Sequence, residues 1–299
     1  MPHAPLCRAI FSAWASAILC FAVVAPVQAQ PLTIVTSIVP QEYFVERIAG
    51  PDVRIMAMVQ PGASPASYEP TPEQMAALSK ASVFFTIGVP FEKGWVPRMR
   101  TANPDLLFVD MGQGLERRPI TGHRQDHGPG HVHEGEILDP HVWLSPPLVR
   151  IMAQTIRDVL QELNPGQAHV YAANYQDFVR EIDRLDLKII DIFGHVPEQR
   201  RRFMVFHPSW GYFAHAYGLE QMAIERHGKE PGPRDMAEIL SEAKKRGIEV
   251  IFVQPEFSTR NAETLARDIG ANVVTVNPLT RDWSKNLLQA ARAFAGLDR

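Results

Sequence analysis

Histidines are concentrated in one short, glycine-rich segment of the chain. Four of the 11 histidines fall within the sequence GHRQDHGPGHVHEG. Short histidine-rich tracts bind transition metals loosely through their imidazoles. The segment has no hydrophobic periodicity, which predicts a surface loop. We therefore expect an accessory metal-binding loop at 122–135, with a solvated linker as the alternative. Its candidate ligands are His123, His127, His131 and His133.

Two further histidines occupy positions where an α/β protein could hold a metal more tightly. His207 directly follows the apolar run FMVF, at the end of a predicted strand. Open α/β sheets bind ligands beyond the carboxyl ends of their strands. His141 lies in LDPHVWLSP, where Asp139 could accept a hydrogen bond from its ring. Either histidine alone is also compatible with a structural role.

The elements that must position these histidines alternate between strands and helices. Short β-branched and aromatic runs separate longer amphipathic stretches, which is typical of βαβ units. Most runs are apolar at consecutive positions, so we expect two parallel sheets covered by helices on both faces. The predicted strands are 32–39, 53–59, 83–87 and 107–109 in the first half, and 203–206, 221–224, 250–253 and 272–276 in the second.

A long amphipathic helix separates the two groups of strands. Apolar residues recur every three or four positions from Tyr175 to Phe193, without an intervening proline. A helix of about 28 residues would be about 40 Å long, enough to cross a small domain. We therefore expect an N-terminal lobe at 30–164, a rigid linking helix at 165–196 and a C-terminal lobe at 197–299. Each lobe should have its own core, with the metal cleft between the lobes.

The first thirty residues predict export from the cytoplasm. An uncharged apolar run at 9–24 is too short for a stable membrane span and is followed by small residues up to Ala29. We expect a signal peptide at 1–29, cleaved near Ala29, and a periplasmic protein. A lipid anchor on Cys20 is the alternative. The other cysteine, Cys7, also lies in the predicted signal, which excludes thiolate metal sites and disulfides from the mature chain.

Charge and motifs disfavour two other classes of protein. The formal net charge is -3, whereas a nucleic-acid-binding protein normally carries a basic excess. The sequence has no HExxH motif, no glycine-rich phosphate loop and no G-x-S-x-G motif. No general base or nucleophile accompanies the two histidines. We therefore expect neither an enzyme nor a nucleic-acid partner.

Five stretches resemble one family, the zinc- and manganese-binding receptors of ABC importers, which includes zinc-uptake periplasmic receptors and streptococcal adhesins. The similarity covers nearly the whole mature chain. It implies two α/β lobes bridged by a long helix, one metal ion in the cleft, and an inner-membrane ABC permease and its ATPase as partners. The stretches are PGASPASYEPTP at 61–72, DPHVWLSP at 139–146, HPSWGYFAHAYGL at 207–219, GKEPGPRDMAEI at 228–239 and VIFVQPEFSTRNAETLA at 250–266.

The resemblance also implies four metal ligands, of which this chain keeps two. His141 and His207 match ligand positions of the family. The other two positions fall at Ala66, which has no donor atom, and at Asn277, whose amide oxygen is a weak substitute for a carboxylate. Zinc prefers four donors in a tetrahedron, so the predicted site is incomplete.

Three interpretations of this incomplete site are open. Another side chain could complete it, with Glu69, Glu256, His131 and His133 as candidates; binding could be weak; or the cleft could hold a different ligand. Imidazole suits zinc better than manganese, which prefers carboxylate oxygens, so zinc is the favoured ion. We expect a monomeric solute-binding protein that delivers zinc to a permease. An adhesin-like or other non-transport metal-binding surface protein is the alternative.

Overall fold

Parallel strands form two four-stranded sheets. The computed structural model describes residues 32–120, 138–226 and 228–297. The first sheet contains β1 (Thr33–Ile38), β2 (Arg54–Val59), β3 (Val83–Thr86) and β4 (Leu107–Asp110). The second contains β5 (Arg202–Val205), β6 (Glu220–Ala223), β7 (Val250–Val253) and β8 (Asn272–Thr275). The predicted strands are all present, and no strand end differs from its prediction by more than one residue.

The two sheets have the same topology. The strand orders are β2-β1-β3-β4 and β6-β5-β7-β8, and every pairing is parallel. In both sheets the order reverses beside the first strand in sequence, which opens a crevice at the carboxyl ends of the strands. The central strands β1, β3, β5 and β7 are mostly buried, as their continuous apolar runs predict.

Helices cover both sheets and follow the sequence signals for helix ends. Thr71 accepts a hydrogen bond from the backbone N–H of Gln74, and proline occupies the first turn of the helix that follows. Gly270, with φ of 73°, closes another helix in the left-handed conformation. The helices are α1 (Val39–Ala49), α2 (Pro72–Leu78), α3 (Pro90–Ala102), α4 (Pro146–Leu163), α5 (Ala168–Gly194), α6 (Gly211–Ala216), α7 (Pro233–Lys245), α8 (Arg260–Ile269) and α9 (Trp283–Phe294).

Helix α5 is the long helix predicted from the spacing of apolar residues. It contains 27 residues and packs against α1 and α4 from the first half of the chain and against α9 from the second half. Its buried apolar contacts come from one stripe, since residues three or four apart share a helix face. The buried residues of this stripe are Tyr171, Phe178, Ile182, Leu185, Ile189 and Phe193.

The expectation of a separate core for each lobe is wrong. One hydrophobic core extends from the first sheet to one face of the second, where it includes Phe203 and Val205 of β5. Met204 and Phe206 point to the opposite face and belong to a smaller cluster. Side chains alternate between the two faces of a strand, so β5 contributes to both clusters. Helices α5 and α9 span both halves and make the main core continuous.

Two predicted segments lie outside the described residues. These are the signal peptide at 1–29 and the histidine-rich loop at 122–135. Across the part of the chain that the structure describes, no helix is long and apolar enough to cross a bilayer.

The packing of α5 predicts a large cost for truncating its central aromatic residue. Phe178 is 1% exposed and contacts Tyr43, Phe44 and Trp283. Phe178→Ala should therefore lower the free energy of unfolding by about 3–5 kcal/mol, measured by urea denaturation. Leu187 lies on the same helix and is 65% exposed, so Leu187→Ala should change it by less than about 0.5 kcal/mol. Equal effects of the two substitutions would contradict the role given to the buried stripe.

Candidate metal centre

The structure brings His141 and His207 together. His207 follows β5, one of the two strands at the reversal point of the second sheet. His141 directly precedes a 3₁₀ turn, Val142–Leu144, which packs against α4 and α6. The two imidazole rings contact each other edge to face, with centroids 5.4 Å apart and an interplanar angle of 70°. Residues from different halves of the chain thus form one histidine pair.

Each imidazole is held by a buried carboxylate. Nδ1 of His141 lies 2.6 Å from Oδ1 of Asp139, the contact that the sequence predicted, and Oδ1 also accepts the backbone N–H of His141. Nδ1 of His207 lies 2.7 Å from Oε2 of Glu225. A carboxylate at Nδ1 favours a proton there and leaves Nε2 with its lone pair. Both rings therefore present a metal-binding nitrogen.

Glu225 is a functional candidate that the sequence analysis missed. It lies just beyond the end of β6, which is the neighbour of β5 in the second sheet. The available indication in the sequence was that Glu225, like His207, directly follows a predicted strand. This indication could be used only with the strand order, because adjacent parallel strands place their carboxyl ends side by side.

Burial keeps His141 in the form that binds metals. Removal from water lowers the pKa of His141, and the nearby His207 lowers it further, while Asp139 and Glu225 act in the opposite direction. Neutral imidazole is the metal-ligating form of histidine. The ring of His141 thus stays neutral to a lower pH than an exposed histidine would.

Aromatic side chains support the outer face of each imidazole. The ring of His141 lies 5.1 Å from that of Trp143, and the ring of His207 stacks on Phe257 at 5.0 Å and 23°. The indole N–H of Trp143 donates to the carbonyl oxygen of Pro278 over 2.8 Å. The orientation of both imidazoles is therefore fixed by packing as well as by hydrogen bonds.

The histidine pair lines a cavity of about 740 Å³. Ala66 and residues of α3 form part of its wall, and residues that follow β7 and β8 form another part. The cavity thus lies at the carboxyl ends of strands, where ligands of α/β sheets bind. It is lined by the two histidines and by Ala66, the position where the sequence resemblance implies a family ligand.

The remaining candidate ligands occupy different environments. Glu256 lines the cavity; its Oε1 is buried with no hydrogen-bond partner among the described residues, and burial raises the pKa of its carboxyl group. Oδ1 of Asn277 accepts the backbone N–H of Leu279 over 2.8 Å. Glu69 is exposed, and neither Glu69 nor Asn277 lines the cavity.

The structure does not bring a third ligand to the histidine pair. Within residues 32–120, 138–226 and 228–297, no group of three or more histidine, cysteine, aspartate or glutamate side chains is arranged to hold a metal ion. The loop candidates lie outside this part of the chain, so their role stays a prediction. They are His123, His127, His131 and His133.

The fold and the histidine pair define a metal-binding protein of the solute-binding type. The sequence model of the family described as zinc-uptake complex component A, periplasmic (ZnuA), matches residues 34–295. The chain therefore belongs to the ZnuA family. This family consists of metal-binding transport receptors and is not a family of enzymes.

Related proteins share the fold along most of the chain. The manganese-binding lipoprotein MntA of Halalkalibacterium halodurans is 28% identical over 244 residues, which cover 81% of this chain and 77% of MntA. A crystal structure of ZnuA is 37% identical and superposes with a TM-score of 0.82, covering 90% of this chain and 100% of that one. A zinc-bound deletion mutant of ZnuA is 38% identical, with a TM-score of 0.80 and coverages of 89% and 97%.

The contact between Glu225 and His207 predicts a role for this carboxylate in metal affinity. Glu225→Gln removes a negative charge from the site. This charge orients the imidazole of His207 and increases the basicity of the ring. Loss of such a partner typically weakens metal binding about 10–100-fold. Competition against a zinc chelator should show a loss in this range, with the fold unchanged by circular dichroism. Glu238→Gln, an exposed change on α7, is the matched control and should leave zinc affinity unchanged.

Proposed function

We propose that this protein captures one divalent transition metal, zinc in preference to manganese, between His141 and His207, and delivers it to an ABC import permease. The observation that carries the proposal is the paired geometry of the site. Two imidazoles contact each other edge to face, and each has its Nδ1 occupied by a buried carboxylate. Such carboxylate–histidine arrangements are typical of metal ligands.

The donor type supports zinc as the ion. Neutral imidazole nitrogen suits zinc, whereas manganese prefers carboxylate, carbonyl and water oxygens. Asp139 and Glu225 each contact the Nδ1 atom of one histidine, so these two carboxylates orient the imidazole ligands. Among the relatives, MntA is named for manganese and the ZnuA deletion mutant was solved with zinc.

The family supports a receptor that works outside the cytoplasm with a membrane transporter. We propose a monomer in the periplasm, released by cleavage near Ala29, whose partners are an inner-membrane permease and its ATPase. Deletion of the gene should reduce growth of the host in zinc-depleted medium. Wild-type protein should restore growth, whereas protein with both site histidines changed to alanine should not. Equal rescue by the two forms would contradict delivery through the cleft.

The first binding prediction concerns the histidine pair itself. The variant with His141→Ala and His207→Ala loses both imidazoles that face the cavity, so zinc binding in the cleft should be abolished. Competition titration of mature wild type and variant against a zinc chelator measures this. The histidine-rich loop is the same in both proteins, so any zinc that it binds cancels in the comparison. Unchanged affinity in the double variant would remove the cleft from the proposal.

A second binding prediction concerns the alanine at the family ligand position. Ala66 lines the cavity, so Ala66→His places a third imidazole at the open part of the zinc coordination. Zinc affinity should rise at least tenfold, which corresponds to about 1.4 kcal/mol. Titrations of wild type and variant at the same pH test this. No gain in a correctly folded variant would mean that another residue already fills that position.

A further inference from the structure

Among the described residues, the proposed metal site offers two of the four donors that zinc requires, and what we infer from this rests on the proposed function. Zinc in proteins is almost always four-coordinate. The cavity offers two imidazole nitrogens, and no third histidine, cysteine, aspartate or glutamate is arranged with them in the described parts of the chain. Within the described part of the chain, two coordination positions thus have no protein donor, and the cargo can supply donors for them.

The cavity is much larger than a hydrated ion needs. Two waters that completed the zinc coordination would occupy about 60 Å³, since each water takes about 30 Å³. The cavity measures about 740 Å³, roughly tenfold more, which falls in the range of about 300–1,000 Å³ typical of sites for small organic ligands.

The walls of the cavity suit an organic molecule better than water. Apolar side chains dominate the lining, and apolar surface favours an apolar partner. The residues concerned are Val89, Val96, Leu138, Trp143, Phe257 and Leu279.

The polar groups on the wall point to the same kind of occupant. Oε1 of Gln254 and Oε1 of Glu256 are buried acceptors without a hydrogen-bond partner among the described residues. Buried polar atoms are normally paired, so these oxygens match N–H or O–H donors on a ligand. Lys93 also lines the cavity and provides a positive charge for a carboxylate.

We propose that the cargo of this protein is a metal chelate, in which His141 and His207 bind the ion together with a small organic chelator that carries nitrogen and carboxylate donors. The protein supplies two ligands and the chelator supplies the others. The organic part of the chelator occupies the apolar portion of the cavity. The small side chain of Ala66 leaves room on the wall where a protein ligand would otherwise stand.

Calorimetry with zinc alone and with the 1:1 zinc complex of L-histidine tests this proposal. L-Histidine is the probe because it carries amine, imidazole and carboxylate donors. The complex should bind the mature wild type at least tenfold more tightly than zinc alone, which corresponds to about 1.4 kcal/mol. Native mass spectrometry should show zinc and L-histidine retained together. The variant with His141→Ala and His207→Ala should lose this binding.

A change in cavity size separates the chelate from the bare ion. Val96→Trp fills part of the cavity and contributes no metal donor, so it should weaken binding of the complex more than binding of zinc and thereby remove the advantage of the complex. Thr101→Trp is the matched control, because Thr101 is an exposed residue of α3 that does not line the cavity. This control should retain the preference for the complex.

Two results would overturn the inference. Zinc alone binding as tightly as the complex, or L-histidine being released on binding, would show that the cargo is a bare ion, and the proposed function would stand. If neither zinc nor the complex bound wild type more tightly than the double-histidine variant, the proposed function would fail as well. Circular dichroism of each variant confirms that the fold is retained.

Discussion

Two buried indole rings join the histidine-bearing segment to the last helix of the chain. Nε1 of Trp143 donates to the carbonyl oxygen of Pro278 over 2.8 Å, and Nε1 of Trp283 donates to the carbonyl oxygen of Trp143 over 2.6 Å. Both rings are about 1% exposed. A buried donor left without a partner costs about 1–3 kcal/mol, so separating these elements would lose both bonds and expose two indoles. These two hydrogen bonds therefore hold the segment that carries His141 against α9.

The same two hydrogen bonds position the segment that carries His141. The imidazole of His141 contacts the ring of Trp143. Its carboxylate partner is Asp139, whose backbone carbonyl oxygen accepts a hydrogen bond from the hydroxyl of Tyr212 in α6. His207 is held from the other half by Glu225 and Phe257. A preorganised pair of ligands loses little conformational freedom on binding, so more of the interaction energy remains as affinity.

The sequence predicted the parts of this structure that depend on local pattern. Continuous apolar runs located the strands, apolar spacing located α5, and the proximity of Asp139 to His141 in sequence predicted their contact. Glu225 was missed because its contact with His207 depends on the order of β5 and β6, which periodicity does not contain. The shared core was missed for a similar reason. Nothing in the local pattern of α9 indicates that Trp283 packs against Phe44 of the first lobe.

Ala66 and Asn277, the two positions where the resemblance implies further ligands, lie outside the parts of the chain that hold the fold. Ala66 follows β2 in a loop, and Asn277 follows β8 in a turn closed by its own side chain, so neither contributes to the apolar core. The turn uses only the side-chain oxygen of Asn277, which an aspartate would provide equally well. The amide therefore changes charge and not backbone geometry. Since the sequence resemblance implies an aspartate at this position in the family, the amide would remove one negative charge beside the cavity residues Pro278 and Leu279. This chain thus has the fold of a metal-binding receptor, and function resides in sites that a stable fold can carry in different forms.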